Sequence, residues 1–265
     1  MMAKIINIKG SSDRSSGIDT LDRIYEILNL FNLQNKEWTL SEISQQLLLP
    51  KSTTFRFLAA LKMRGLLNSV SNGNRYRLGY QLMHWGDLAK NSIELREIAL
   101  PVLYNLVEKT DETAILSVRD GTSCVWIEQV ESKQPIRWVK QIGVRLPLHA
   151  GSSAKILLAF LPDYEVEKIL NSIELYRIQP STITDKQKMM EEIRSIRSRG
   201  YAISFEEVNR DTMGIAGPVY NYSGQIVAGL GIIAPISRGQ PEKIPGIAKS
   251  VLEACSELSR KLGGK

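Results

Sequence analysis

Two helix start signals that lie close together constrain this chain more than any other feature of its sequence. The segment Trp38-Thr39-Leu40-Ser41-Glu42-Ile43 has a threonine at an N-cap position and a glutamate three residues later, with Trp38 and Ile43 placed as a hydrophobic staple. A second start signal, Leu49-Pro50-Lys51, follows a few residues on, because proline is tolerated in the first turn of a helix. Two short helices joined by a tight turn predict a helix-turn-helix.

The second of these helices, predicted over Lys51–Met63, has an unusual outer face. Helical spacing turns one set of residues inward, namely Thr54, Phe57, Leu58 and Leu61. The residues left outside are Lys51, Ser52, Thr53, Phe55 and Arg56. Hydroxyls, cations and an exposed aromatic ring are groups that contact phosphates and base edges in protein–DNA complexes. The pattern therefore predicts a recognition helix.

Segments on both sides of the pair predict a winged helix. The apolar pattern of a preceding amphipathic helix is formed by Ile18, Leu21, Tyr25 and Leu28, together with Ile24, Ile27 and Phe31. After the pair, residues 66–70 and 75–78 flank Asn72-Gly73, which is a strong signal for a tight hairpin turn. Strand alternation puts Arg75 and Arg77 on one face of this wing, where they are expected to contact DNA, and puts Tyr76 and Leu78 on the face that covers the helices.

Charge is concentrated in the same region. The chain has 265 residues with 34 Lys and Arg against 28 Asp and Glu, a net charge of +6. No acidic residue occurs between Glu42 and Asp87, and the six cations of that window equal the whole net charge. They are Lys51, Arg56, Lys62, Arg64, Arg75 and Arg77. A basic patch confined to the winged helix indicates phosphate binding, and the alternative is an ordinary solvated surface.

Composition excludes several other classes of protein. Cys124, Cys255, His84 and His149 are the only soft metal ligands, too few for a disulfide framework or a cysteine-based zinc site, so we expect no metal and no cofactor. No signal peptide is visible, and no apolar run reaches the roughly 18 to 20 residues that cross a bilayer. We therefore expect a protein of the reducing cytoplasm with no membrane partner.

The remaining sequence predicts an α+β protein with a mostly antiparallel sheet, because strands come in runs with helices between them. Predicted strands cover residues 113–118, 123–130, 136–140, 201–206, 215–220 and 225–233, and predicted helices cover residues 93–108, 152–160, 184–199 and 247–262. Pro101 marks either a kink or a restart within its helix. The expected organisation is a flexible tail (1–15), a winged helix-turn-helix domain (16–79), a linker helix (80–95) and a second domain (96–265).

Small residues at the start of the helix predicted from Ser152 are compatible with two roles. Free N–H groups and the helix dipole favour an anion there, and a simple serine cap is the alternative. Ser152-Ser153-Ala154-Lys155 also fits the Ser-x-x-Lys pattern of acyl-transferring enzymes, although the Ser-Asp-Asn and Lys-Thr-Gly partner motifs are absent from the sequence. A hydrolase or acyltransferase that uses Ser152 and Lys155 is thus an alternative function, and a general nucleoid or RNA-binding protein is another.

Taken together and in order, these pieces resemble the IclR-type (isocitrate lyase regulator type) transcription regulators from residue 17 to about residue 262. The matching segments are residues 49–58, 76–79, 143–150, 154–159, 199–202, 206–207 and 215–220. The resemblance implies a ligand-responsive regulator that is not an enzyme, with a winged helix, a linker helix and a GAF-like effector domain containing a six-stranded antiparallel sheet. It also implies homodimers that pair into homotetramers on palindromic operators.

The resemblance further implies a pocket in the second domain for a small organic acid or an aromatic compound. Positions that match its wall are Trp138, Leu146, Ser152, Ser153, Ser204 and Gly214. Gly231 and Ile233 stand where members that bind short keto acids often have serine, so a bulkier or more apolar effector is expected here. We expect its carboxylate near Ser152 and Ser153, with Trp138 and Leu146 covering its apolar part.

Overall fold

The computed structural model describes residues 16–70, 75–91, 94–139 and 141–264, and the chain divides into two compact units after Ser92. The predicted tail over residues 1–15 and the Asn72-Gly73 turn lie outside the described residues. The elements of the first unit are α1 (Ser16–Asn29), β1 (Trp38–Thr39), α2 (Leu40–Gln46), α3 (Lys51–Met63), β2 (Leu67–Val70), β3 (Arg75–Leu78) and α4 (Tyr80–Asn91).

The first unit is a winged helix-turn-helix, as predicted. Strands β2 and β3 pair in an antiparallel hairpin with Ser69 opposite Tyr76, and β1 pairs with the other edge of β3. The predicted capping box begins α2: the Thr39 hydroxyl accepts a bond from the Glu42 N–H at 3.2 Å, and the Glu42 carboxylate accepts one from the Thr39 N–H at 2.7 Å. The bond from the Thr39 N–H also lowers the pKa of Glu42.

Packing in this unit corrects two sequence predictions. Of the apolar residues predicted for this helix, Ile27 is buried in the core with Leu58 and Leu61, whereas Leu21 and Tyr25 are exposed. The apolar stripe of α1 is wider than the part that the core cluster covers, so packing within the folded unit decides which of its residues are buried. In the wing, Tyr76 covers the helices, but Leu78 at the end of its strand is 43% exposed.

The second unit is built around one antiparallel sheet of six strands in the order β6-β5-β4-β9-β8-β7. Its strands are β4 (Thr113–Asp120), β5 (Ser123–Val130), β6 (Arg145–Pro147), β7 (Ala202–Phe205), β8 (Thr212–Tyr220) and β9 (Ile226–Pro235). Its helices are α5 (Glu94–Thr110), α6 (Ser152–Ala159), α7 (Asp163–Ser172), α8 (Lys186–Arg199) and α9 (Ile244–Lys261). Helix α5 continues through Pro101 without a restart.

Two hydrophobic cores cover the two faces of this sheet. Helices α5 and α9 pack on one face, where Leu103, Leu116 and Leu230 are fully buried. Helices α6, α7 and α8 cover the other face, where Ile156 and Ile193 are buried. Strands β8 and β9 therefore bury both of their faces over most of their length, and apolar residues run through them almost without interruption.

The strand predicted at residues 136–140 is wrong over its described part, residues 136–139, which are irregular. Backbone groups there bond to side chains instead of to a neighbouring strand: the Thr113 hydroxyl donates to the Trp138 carbonyl at 2.8 Å, and Arg238 Nη1 donates to the Ile136 carbonyl at 3.0 Å. The edge of β5 pairs with β6, which the sequence did not predict, and helix α7 was also missed. Among the described residues, no helix is both long and apolar enough to span a bilayer.

Candidate functional site

Helix α3 has a buried face and an exposed basic face. Thr54, Leu58 and Leu61 are buried, and the Thr54 hydroxyl donates to the Pro50 carbonyl at 3.1 Å. On the other side, Lys51, Ser52 and Arg56 are exposed and Phe55 is 56% exposed. Thr53 lies at the boundary and is half-buried. The buried and exposed residues of α3 thus alternate with the spacing expected of the predicted recognition helix. Phe55 and Arg56 are accessible to a partner.

The two wing arginines are held by neighbouring groups. Arg75 Nη1 donates to the Glu37 carbonyl at 3.5 Å, and Arg75 Nη2 lies 3.9 Å from the Glu42 carboxylate of the α2 capping box. Arg77 donates to the Tyr80 hydroxyl at 3.2 Å, and its guanidinium lies 6.0 Å from the Tyr80 ring centroid. Such contacts restrict the rotamers of both side chains while leaving their charges near the surface.

The turn between α2 and α3 contains a residue that sequence reasoning missed. Leu48 has φ = 54°, in the left-handed region, and its side chain is 90% exposed. The Leu49 N–H donates to the Ser44 carbonyl at 3.0 Å and the Leu48 N–H to the Gln45 carbonyl at 3.4 Å, which together form a Schellman motif. Glycine is the usual residue at this position of a helix C-terminus. A leucine directly after the end of the predicted helix was therefore the feature of the sequence that could have drawn attention to this residue.

A cavity in the second unit brings together six of the eight predicted effector residues. They are Leu146, Ser152, Ser153, Ser204, Gly214 and Ile233. Trp138 and Gly231 do not line this cavity: Trp138 is partly buried against the hydrophobic core on this side of the sheet, and a Cβ at Gly231 would point at the backbone of β8. The wall also includes Trp126, Glu207 and Thr212, which sequence reasoning did not assign to the pocket.

The start of α6 faces this cavity, and side chains of the protein itself occupy two of its N–H groups. The Glu207 carboxylate accepts from the Gly151 N–H at 2.9 Å, and the Ser204 hydroxyl accepts from the Ser152 N–H at 3.0 Å. Glu207 is buried, although a carboxylate at the end of a strand is more often solvated. An internal carboxylate therefore lies where the sequence predicted an anion.

The ammonium group of Lys155 neutralises the Glu207 carboxylate. Lys155 as a whole is 1% exposed, and its ammonium donates to Glu207 at 2.6 Å, Glu192 at 3.0 Å and the Ile203 carbonyl at 2.9 Å. Arg199 bonds to the same Glu192 carboxylate at 3.0 Å, so two cations balance two anions. All three donors of Lys155 are used, which leaves no free base to activate Ser152 and argues against acyl transfer.

The space left in this cavity is small, and one of its walls is a glycine. The cavity has a volume of about 30 Å³, room for roughly two water molecules. A Cβ at Gly214 would lie 2.5 Å from the Ser152 hydroxyl oxygen, so even a methyl group would fill part of it. Any organic effector therefore requires the walls to move apart.

His149, just before α6, is fully buried beside Tyr176. The ring Nε2–H lies 3.0 Å from the Tyr176 carbonyl, to which it donates in the neutral tautomer. Among the described residues, Nδ1 has no hydrogen-bond partner. Burial lowers the pKa of His149, so the ring is neutral at physiological pH.

Comparison with known proteins agrees with both units. Residues 88–260 match the family described as bacterial transcriptional regulator IclR C-terminal, and residues 20–71 match the IclR helix-turn-helix domain. The HTH-type transcriptional regulator KipR of Bacillus subtilis is 34% identical over 244 residues, which are 92% of this chain and 97% of KipR.

Solved structures show the same architecture. Thermotoga maritima IclR superposes with a TM-score of 0.75 at 31% identity, covering 93% of this chain and 99% of that one. An IclR homolog from Microbacterium hydrocarbonoxydans, complexed with 4-hydroxybenzoate, has a TM-score of 0.75 at 26% identity and covers 92% and 98% of the two chains. The relatives are regulators and not enzymes, which rejects the acyl-transfer alternative. This chain belongs to the IclR family of bacterial transcriptional regulators.

Proposed function

We propose that this protein is an effector-controlled regulator that binds a palindromic operator as a homodimer or homotetramer, with α3 in the major groove. The observation that carries the proposal is the exposed face of α3, where Phe55 and Arg56 lie opposite a buried apolar face in a stretch without acidic residues. A twofold oligomer places two such helices on two half-sites, which is why a palindrome is expected.

Within the proposed interface, each group has a distinct role. Arg56 reads a base edge from the groove, because its position on α3 faces away from the core. Lys51, Ser52 and Thr53, at the start of α3, bind backbone phosphates. Arg75 and Arg77 in the wing also bind phosphates and add affinity without sequence preference.

A binding experiment tests this assignment. Duplexes selected by the protein from a random-sequence pool serve as the specific probe, and the unselected pool serves as the non-specific probe. Arg56→Ala should weaken binding to the selected duplex by about 1 to 3 kcal/mol, whereas Arg75→Ala should weaken binding to both probes and reduce the salt slope by about 1. Arg194→Ala, which removes an exposed cation from α8, is the matched control. Unchanged selectivity of Arg56→Ala would overturn the recognition-helix proposal.

For the second unit we propose a pocket for a small organic acid at the start of α6. Ser153 and Ser204 supply hydroxyls, Leu146 and Ile233 supply apolar walls, and Glu207 is already neutralised by Lys155, so the site does not repel a further anion strongly. The complex of a relative with 4-hydroxybenzoate supports an aromatic acid as one class of effector. Trp138 would cover such a ring only if the walls open toward it.

Thermal unfolding with added acids tests the pocket. Probes are 4-hydroxybenzoate and a short keto acid, because a ligand at 100 times its dissociation constant stabilises the protein by about 2.7 kcal/mol. Ser153→Leu should abolish the thermal shift produced by whichever acid binds, while binding to the selected duplex persists. A thermal shift of unchanged size in Ser153→Leu would place the pocket elsewhere.

A further inference from the structure

Leu48 combines a rare backbone conformation with an exposed apolar side chain. Its φ of 54° lies in the region that residues with a Cβ seldom adopt. The turn is held in this shape by the Schellman bonds of Leu48 and Leu49, and the Ser44 hydroxyl adds a bond to the Leu49 carbonyl at 2.6 Å. Glycine would satisfy the same bonds without steric cost. The geometry of the turn therefore does not require a leucine.

The core does not require it either. The Leu48 side chain is 90% exposed, whereas Leu47, its neighbour on the same turn, packs against the apolar core of the first unit. A side chain that is this exposed adds little to packing within the folded domain, and residues in rare backbone conformations cluster at sites that bind a ligand or partner. Leu48 is suited to contact with something outside the chain.

Charge indicates which partner that is. Leu48 lies three residues before Lys51, and no acidic residue occurs between Glu42 and Asp87. The exposed residues that follow it on α3 include Lys51 and Arg56, which attract a polyanion. A protein partner with an apolar binding surface gains nothing from this charge unless it is also strongly acidic.

We propose that Leu48 contacts the deoxyribose of the DNA backbone at the rim of the major groove and so fixes the depth and register of α3. In helix-turn-helix docking the recognition helix enters the groove while the preceding helix crosses the backbone, so the turn between them meets the rim. The sugar is the apolar part of that backbone. The inference rests on the proposed placement of α3 in the groove.

The test replaces Leu48 with residues that tolerate the left-handed conformation. Leu48→Gly and Leu48→Asn keep the turn, and neither removes a charge. Binding is measured to the selected duplex and to the unselected random-sequence pool over a range of salt concentrations. We expect both variants to bind both probes about fivefold more weakly, which corresponds to loss of part of a leucine contact. The slope of log affinity against log salt should not change, and the melting temperature should be equal or higher.

Three results would overturn the proposal. Unchanged affinity of both variants would show that Leu48 makes no contact with DNA. A loss of affinity that disappears when the probe carries uracil in place of thymine would identify a base methyl, not a sugar, as the partner. A change in oligomeric state, measured by light scattering without DNA, would identify a second copy of the chain. Arg56→Ala distinguishes failure of the Leu48 proposal from failure of the proposed function. This variant retains full affinity and selectivity only if α3 itself does not lie in the groove.

Discussion

Lys155 Nζ and Glu207 Oε1 lie 2.6 Å apart in the interior of the second unit, although 52 residues separate them in the chain. Both side chains are buried, at 2% and 8% exposure, and the pair joins the first turns of α6 to the segment between β7 and β8. Glu207 also reaches the Gly151 N–H at the edge of the cavity. The same carboxylate thus belongs both to the core and to the wall of the proposed pocket.

Removing Lys155 should be strongly destabilising. Lys155→Met leaves Glu207 buried without its cation, while Glu192 keeps Arg199, and we expect a loss of about 3 to 5 kcal/mol in the free energy of unfolding. Glu207→Gln alone should cost less, because the amide can still accept a bond from the lysine. Urea denaturation of both single variants and of the double variant measures the coupling. The double variant should be more stable than Lys155→Met, whereas losses that simply add in the double variant would show that the pair is not coupled.

Phe55→Ala should weaken DNA binding without unfolding the protein. The ring is 56% exposed, so its removal takes little from the core, and we expect the loss of affinity for the selected duplex to be about 1 kcal/mol or more. Phe57→Ala is the informative comparison, since that half-buried ring packs against the core and should reduce the melting temperature. If Phe55→Ala lowers the melting temperature as much as Phe57→Ala does, the face of α3 has been wrongly assigned.

A methyl group at Gly214 should block the effector pocket. The new Cβ would lie 2.5 Å from the Ser152 hydroxyl oxygen, and we expect Gly214→Ala to lose the thermal shift produced by an acid and to cost about 1 to 3 kcal/mol in stability. Gly246→Ala is the matched control, because its Cβ meets no atom within 4 Å and it lies in α9. Calorimetry with the same acid on both variants makes the comparison. An undiminished response in Gly214→Ala would exclude this cavity as the binding site.

Acid should destabilise the second unit through His149. Burial lowers the pKa of this ring below its ordinary value of 6.5, so the folded state binds a proton less readily than the unfolded state. The corresponding stability is fully present above about pH 6.5 and is lost as the pH falls toward the lowered pKa.

His149→Gln checks this contribution, since the amide can still donate to the Tyr176 carbonyl but does not titrate. The decrease in melting temperature between about pH 7.5 and about pH 5.5 should be smaller in the variant than in the unsubstituted protein. An equal fall in both proteins would assign the acid sensitivity to other groups.

Local sequence was sufficient for much of the fold. Thr39 and Glu42 cap α2 as their spacing predicts, and Lys51–Met63 forms a helix with the predicted ends. Strand Ser123–Val130 also has its predicted bounds. Capping and periodicity depend on residues a few positions apart, so each of these elements can be predicted from its own segment of the sequence.

Tertiary contacts decided the rest. Of the apolar residues predicted for α1, packing buries Ile27 and leaves Leu21 and Tyr25 exposed, and residues 136–139 are irregular, with two of their carbonyls bound by Thr113 and Arg238. Glu207 is held in the cavity wall by its ion pair with Lys155, which reaches it from helix α6. The sequence alone determined which segments form the winged helix and where its basic face lies. Burial and charge pairing between distant segments depend on the whole packed structure, and only that structure decided how the walls of the pocket are assembled.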